Sequence, residues 1–250
     1  MVQIIRLLIA LALLLWATTA QAQVVVNNLT SNRDNSGCSS GDPCVTPSVT
    51  YNTGDVLLLS FYAFGSGYDP TDAHTVTASG VTWTEVGPGI QAFGAPYVLS
   101  VFYGVVASGA TGTVSIAPAI ALDDAGFILD RAVSGTISTS APVTQSNQTA
   151  GTSATPATTL SAFGTGGATY AVTFAENSPL GPGTGFAELD EQAGPFGVSA
   201  NSEWRNDADT TPDSTQTGSA QFAIIAMELA IPGGGGGATP GKLLTLGVGK

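Results

Sequence analysis

Residues 219–230, SAQFAIIAMELA, have two readings, and the choice between them decides the fold. Ala, Met, Glu and Leu favour a helix, whereas Phe222, Ile224 and Ile225 suit a pleated, buried strand. The surrounding chain argues for the strand. In residues 74–86, HTVTASGVTWTEV, Val76, Val81 and Trp83 point one way while Thr75, Thr77, Thr82 and Thr84 point the other. In residues 97–106, YVLSVFYGVV, one face is Tyr97, Leu99, Val101, Tyr103 and Val105. In residues 168–176, ATYAVTFAE, Tyr170, Val172 and Phe174 alternate with Thr169, Ala171 and Thr173. A period of two is the signature of a strand. Residues 55–64, DVLLLSFYAF, are apolar on both faces, as in a strand deep inside a sandwich. Residues 219–230 are therefore assigned as the closing strand of a sheet.

Turn chemistry separates these runs: Gly54-Asp55, Gly65-Ser66-Gly67, Gly87-Pro88-Gly89, Gly109 and Pro118. Many short strands joined by such turns indicate a sandwich or barrel. Residues 120–133, IALDDAGFILDRAV, leave room for one short helix. Residues 134–160 are rich in Ser, Thr and Ala and read either as a linker or as exposed strands faced with hydroxyls. The second reading is preferred, because residues 168–176 need partner strands.

Charged residues make up 10% of the chain and the formal net charge is −12. Between Arg33 and Lys242 the only cations are Arg131 and Arg205. Nucleic-acid binding needs clustered Lys and Arg to neutralise phosphates, so that class is excluded, and the acidic balance reads first as solubility. The N-terminus places Arg6 before an apolar run, Leu7 to Trp16, followed by Ala20-Gln21-Ala22. That is the pattern of a signal peptide cut after Ala22, and the run is about half the roughly twenty residues a bilayer span requires. The expectation is a secreted or cell-surface protein with no membrane span in the mature chain. Cys38 and Cys44 flank a turn-forming Gly41-Asp42-Pro43 and are expected to form a short disulfide in an oxidising compartment. The organisation expected is a signal peptide over 1–22, one domain over 23–232, and a Gly-rich hinge with an apolar tail over 233–250.

The order of VLLLSFYA, GVTWTEV, VLSVFYGVV, FILDRAVSG and FAIIAMELA, over about residues 45–231, resembles jelly-roll, concanavalin-like β-sandwich domains of secreted bacterial and phage structural proteins. The resemblance implies an all-β fold, a single antiparallel sandwich, serving as a binding, adhesive or structural module.

The chemistry-bearing residues are few. His74 is the sole histidine and sits in an alternating strand, which fits a surface or half-buried sheet residue better than a proton shuttle for a nucleophile. Glycosidase chemistry needs two converging carboxyls. The candidates are Glu85, Asp123, Asp124, Asp130, Glu176, the acids of residues 188–191, and Glu203. Asp207, Asp209 and Asp213 supply oxygen ligands of the kind calcium prefers, without the glycine and final glutamate of an EF-hand. Trp83 is assigned to the core. Trp204 follows a polar stretch, so Trp204, Arg205 and Glu203 form the candidate glycan site. At the C-terminus, Pro232 ends the ladder, five glycines follow, and residues 241–250 form either an idle end or a peptide that adds a strand to an assembly partner. The function expected is a non-catalytic exported module, adhesive or structural, a phage particle included. The alternative is a carbohydrate-binding module or carbohydrate-active enzyme.

Overall fold

The computed structural model describes residues 23–32, 38, 42–92, 97–163, 167–176, 179–193 and 198–232. The expected signal peptide and the expected C-terminal hinge and tail lie outside them. The first half contributes β1 (Val26–Asn32), β2 (Cys44–Val45), β3 (Val49–Tyr51), β4 (Val56–Phe64), β5 (His74–Thr77), β6 (Val81–Glu85), β7 (Ile90–Ala92), β8 (Tyr97–Val106), β9 (Ala110–Gly112), β10 (Ser115–Pro118) and β11 (Asp124–Ala132). The second half contributes β12 (Val143–Ser153), β13 (Gly167–Ala175), β14 (Leu180–Pro182), β15 (Ala187–Ala193), β16 (Ser199–Arg205), β17 (Ser214–Gln216) and β18 (Ala220–Ala230). Among the described residues there is no helix, and so none long and apolar enough to cross a membrane.

Two large antiparallel sheets carry the fold. One runs β1-β11-β4-β8-β6, with β7 also pairing to β8; the other runs β12-β18-β13-β16-β15. The first is drawn wholly from residues 26–132 and the second wholly from residues 143–230. They face each other across a core of Val56, Leu58, Tyr62, Leu99, Val101 and Ile128 from one sheet and Tyr170, Val172, Phe174, Ile225, Met227 and Leu229 from the other. This is an all-β sandwich, as the alternation predicts.

The first sheet is covered on its other face as well. Leu57, Leu59, Phe61, Phe102, Phe127 and Leu129 form a second core there with Tyr51, Tyr68, Val114 and Ile116. The cover is the short sheet β2-β10-β5, the pair β3-β9 and the segment holding Cys38. Two apolar faces on β4 are thus required by two cores, and the first large sheet becomes the middle layer. Cys38 and Cys44 are bonded, with Cα atoms 5.2 Å apart, and staple that cover.

Residues 219–230 supply β18, a central strand whose residues are all buried except Gln221. The helix considered for residues 120–133 is replaced by β11, which pairs with β4 from Asp124 to Ala132. Gly126 sits opposite Tyr62, and a Cβ there would collide with the Tyr62 ring. Residues 143–153 form an exposed strand, the preferred reading of that region, although its partner is β18 and not β13. One detail departs from the expected alternation: Thr169 and Thr173 are buried, not solvated. The Thr173 hydroxyl lies 2.8 Å from that of Ser214, and the Thr169 hydroxyl donates to the Asp207 carbonyl at 3.0 Å, because the β14–β17 ribbon and the 206–213 loop cover that face.

Candidate functional site

The residues proposed for a glycan site sit consecutively on β16, and a strand turns consecutive side chains to opposite faces. Trp204 is half-buried against the sandwich core. Glu203 and Arg205 are directed to the outer face of the second sheet, so the three do not form one surface. Glu203 is fully buried, and its Oε2 accepts the Gly183 N–H at 2.7 Å. Its Oε1 and both amide atoms of buried Asn201 have no hydrogen-bond partner. Burial pushes the Glu203 carboxyl up to about 8; the Gly183 bond pulls it down, and the charges of Asp213, Glu188 and Asp209 push it further up. Arg205 bonds Asp207 and reaches Asp209 at 3.0 Å and the Thr184 carbonyl at 3.1 Å. Asp207 and Asp209, read as calcium ligands, thus hold a guanidinium. Asp213 is half-buried nearby. Among the described residues no group of three or more His, Cys, Asp or Glu side chains could hold a metal ion.

Of the other carboxyl candidates, Asp130 lies between the two large sheets. It accepts the Tyr170 hydroxyl at 2.8 Å and the Asn28 amide at 2.9 Å. Burial raises it to about 6, against those hydrogen bonds. Asp130 and Glu203 face opposite sides of the second sheet, so they do not share a cleft. Glu191 accepts the Leu180 N–H at 2.6 Å and Asp123 the Ser66 N–H at 3.2 Å; both are tied into turns and ribbons. The sequence offered Asp130 only as one candidate for a carboxyl pair. The missed signal was parity, since Asp130 shares the face of Ile128 and Ala132, both of which point into the core.

A groove of mixed chemistry lies elsewhere, where two layers end together. β5 is the edge of the short outer sheet and β6 an edge of the middle sheet. Between them opens a depression of about 260 Å³ lined by His74, Thr75, Val76, Trp83, Glu85 and Phe102. Trp83 lies across Gly104, where any Cβ would strike the indole; the ring packs against the second core but is only half-buried, short of the core position expected for it. His74 bonds the Tyr68 hydroxyl and meets Phe61, Tyr68 and Phe102 edge-on at centroid distances of 5.4, 5.7 and 5.8 Å. Burial lowers its pKa to about 4 against the pull of Asp72, so the imidazole is neutral near pH 7. Burial likewise raises Tyr68 well above the usual phenol range and raises Glu85. The imidazole is neutral and bonded to a phenol. What the groove offers is an indole, a phenyl ring, a threonine hydroxyl and one carboxyl.

Fold and groove together define an antiparallel β-sandwich thickened by a disulfide-stapled third layer. A scan against protein-family models and searches of curated proteins and of solved structures find no match for the chain.

Proposed function

We propose that this chain is a non-catalytic exported module, built for a cell or particle surface. The observation that carries the reading is the commitment of its fully buried carboxyls to internal contacts. Asp130 is held by Tyr170 and Asn28 and Glu203 by the ribbon that donates Gly183 N–H, while His74, at the groove wall, is bonded to the Tyr68 hydroxyl. Acid–base or nucleophilic catalysis needs such groups within reach of a substrate. The Cys38–Cys44 bond fits export to an oxidising compartment. Fractionating the producing cells tests the address: the chain should appear outside the cytoplasm with residues 1–22 removed, and a cytoplasmic, unprocessed chain overturns the reading.

A second reading is favoured by the groove. Trp83 and Phe102 supply apolar ring faces, and Thr75 and Glu85 supply polar groups, a combination that suits the C–H face and hydroxyls of a neutral sugar ring. Glycan-array binding lost on Trp83→Ala, and retained on Trp204→Ala, supports a carbohydrate-binding module seated there. A blank array leaves the structural reading in place and removes the sugar reading.

A further inference from the structure

The two large sheets present edges of different kinds, and one of them is undefended. An edge strand exposes unpaired N–H and C=O groups, and proteins blunt it with charge, proline, bulges or shortness. β15 carries Glu188, Asp190 and Glu191 and a register shift between Glu188 and Asp190. β1 is shifted between Asn28 and Thr30. β6 has five residues and ends on Glu85, and β7 has three. β12 is different. After an irregularity between Val143 and Gln145 it keeps unbroken register with β18 to Ser153, and VTQSNQTAGTS contains neither a charge nor a proline. Among the described residues no strand pairs with its other side.

The strand is also held in shape. On its outer face the Gln145 amide exchanges hydrogen bonds with Ser161, donating to its carbonyl at 3.0 Å and accepting its N–H at 2.8 Å. Asn147 donates to the Thr159 carbonyl at 2.7 Å, and the Thr149 and Thr158 hydroxyls meet at 2.9 Å. Residues 158–161 thus brace the face of β12 and leave its edge open. An extended strand already fixed loses little freedom when it pairs. The Gln148 N–H is taken by the Asn147 side chain, 2.9 Å away, and not by β18. Backbone groups alternate in direction along a strand, so residues 146, 148, 150 and 152 turn theirs outward.

We propose that β12 is an association edge at which two copies of this chain pair antiparallel, joining their second sheets into one. Charge selects this edge for a second copy. Two chains of net charge −12 repel, and an approach through β15 sets acid against acid, whereas β12 meets its own copy with hydroxyls and amides only. Thr, Ser and Gln facing one another across a two-fold axis supply both donors and acceptors. The interaction does not depend on the groove or on any ligand, so it stands or falls separately from the reading of function.

The test is the mass of the full chain by light scattering and sedimentation across micromolar concentrations, with amide exchange on residues 143–153. A concentration-dependent doubling of mass is expected, with slowed exchange at residues 148, 150 and 152. Ala150→Pro removes an outward N–H without touching a bond to β18, and Ala150→Glu sets like charges across the pair. Each should weaken association by roughly tenfold or more, about 1.4 kcal/mol, while β18 amides stay protected. A chain that stays monomeric throughout, a dimer that both variants leave intact, or one abolished only by deleting residues 233–250 overturns the proposal.

Discussion

Asp130 and Gly126 lie four residues apart on β11; Tyr170 and Asn28 hold the first, and the Tyr62 ring lies against the second. Among the described residues no cation pairs with the Asp130 carboxyl; a phenol and an amide satisfy it inside the sandwich. Replacing it by Ala leaves the buried Tyr170 hydroxyl with only Ser60 at 3.5 Å and takes a partner from the half-buried Asn28 amide, at about 1–3 kcal/mol for the buried hydroxyl. Asp130→Ala should therefore lower the denaturant midpoint clearly, and Asp130→Asn, which keeps one acceptor, should lower it less; equal losses from both would contradict this account. Gly126 has a steric role. A side chain there meets the Tyr62 ring, so Gly126→Val should cost about 1–3 kcal/mol by overpacking, and the companion Tyr62→Ala should relieve part of the strain in a double-mutant cycle. These residues also show what the sequence could and could not say. The inward direction of Asp130 was readable from the parity of Ile128 and Ala132. The contact of Gly126 with Tyr62 was not, because it depends on the register between β11 and β4, which no local pattern specifies.

Among the elements, β18 is the one whose conformation was most open from propensity and most constrained by its neighbours. It pairs with β12 on one side and β13 on the other, and both faces are buried: Ile225, Met227 and Leu229 toward the sandwich core, Phe222, Ile224 and Ala226 toward Leu160 and Leu180. A helix in its place would strand two ladders. Ile225→Ala should cost about 2–5 kcal/mol, and a thermal unfolding shift close to zero would show that the strand is not central. The period-two runs made β6, β8 and β13 legible, the β-prone Phe222, Ile224 and Ile225 with their surroundings gave β18, and the doubly apolar β4 pointed to a strand deep in a sandwich. The cover on the outer faces was not legible, because β2, β3, β9, β14 and β17 have only two or three residues, too few to show a period. That gap is why Thr169, Thr173 and Glu203 read as solvated, and why Trp204 and Glu203 were grouped although a strand separates their directions. The disulfide acts at the same scale. It closes a loop of sequence separation 6 in the cover over the second core, and loop-closure entropy for so short a loop is worth about 2 kcal/mol. The Cys38→Ser, Cys44→Ser double variant should lose about that much stability and keep the two large sheets; loss of all sheet signal would mean that the third layer is not an accessory.

Across the whole molecule, three buried groups with displaced pKa values set how stability varies with pH. Glu203 titrates at about 8 in the folded chain against an ordinary 4.5, and Asp130 at about 6 against 3.8. Between the ordinary and the folded value the native state holds a proton that the unfolded chain has lost, so each carboxyl makes stability fall as pH rises through its window. His74 works in the opposite sense. Its folded value of about 4 lies below the ordinary 6.5, so the unfolded chain holds the extra proton and stability rises with pH across that interval. The windows overlap in acid, where the His74 gain offsets part of the carboxyl losses. Above 6.5 the unfolded imidazole loses the rest of its charge and Asp130 completes its ionisation, which leaves Glu203 as the dominant group among the three until about 8. The slope it contributes there is at most about 1.4 kcal/mol per pH unit. Melting temperature should therefore decline from pH 6.5 to 8 and flatten beyond, and Glu203→Gln, which cannot ionise, should remove that decline, lift the stability slope between pH 4.5 and 6.5 as well, and leave the limb below 4.5 unchanged. The same decline in wild type and variant would mean that Glu203 is solvated, and with it that the β14–β17 ribbon does not close over the second sheet.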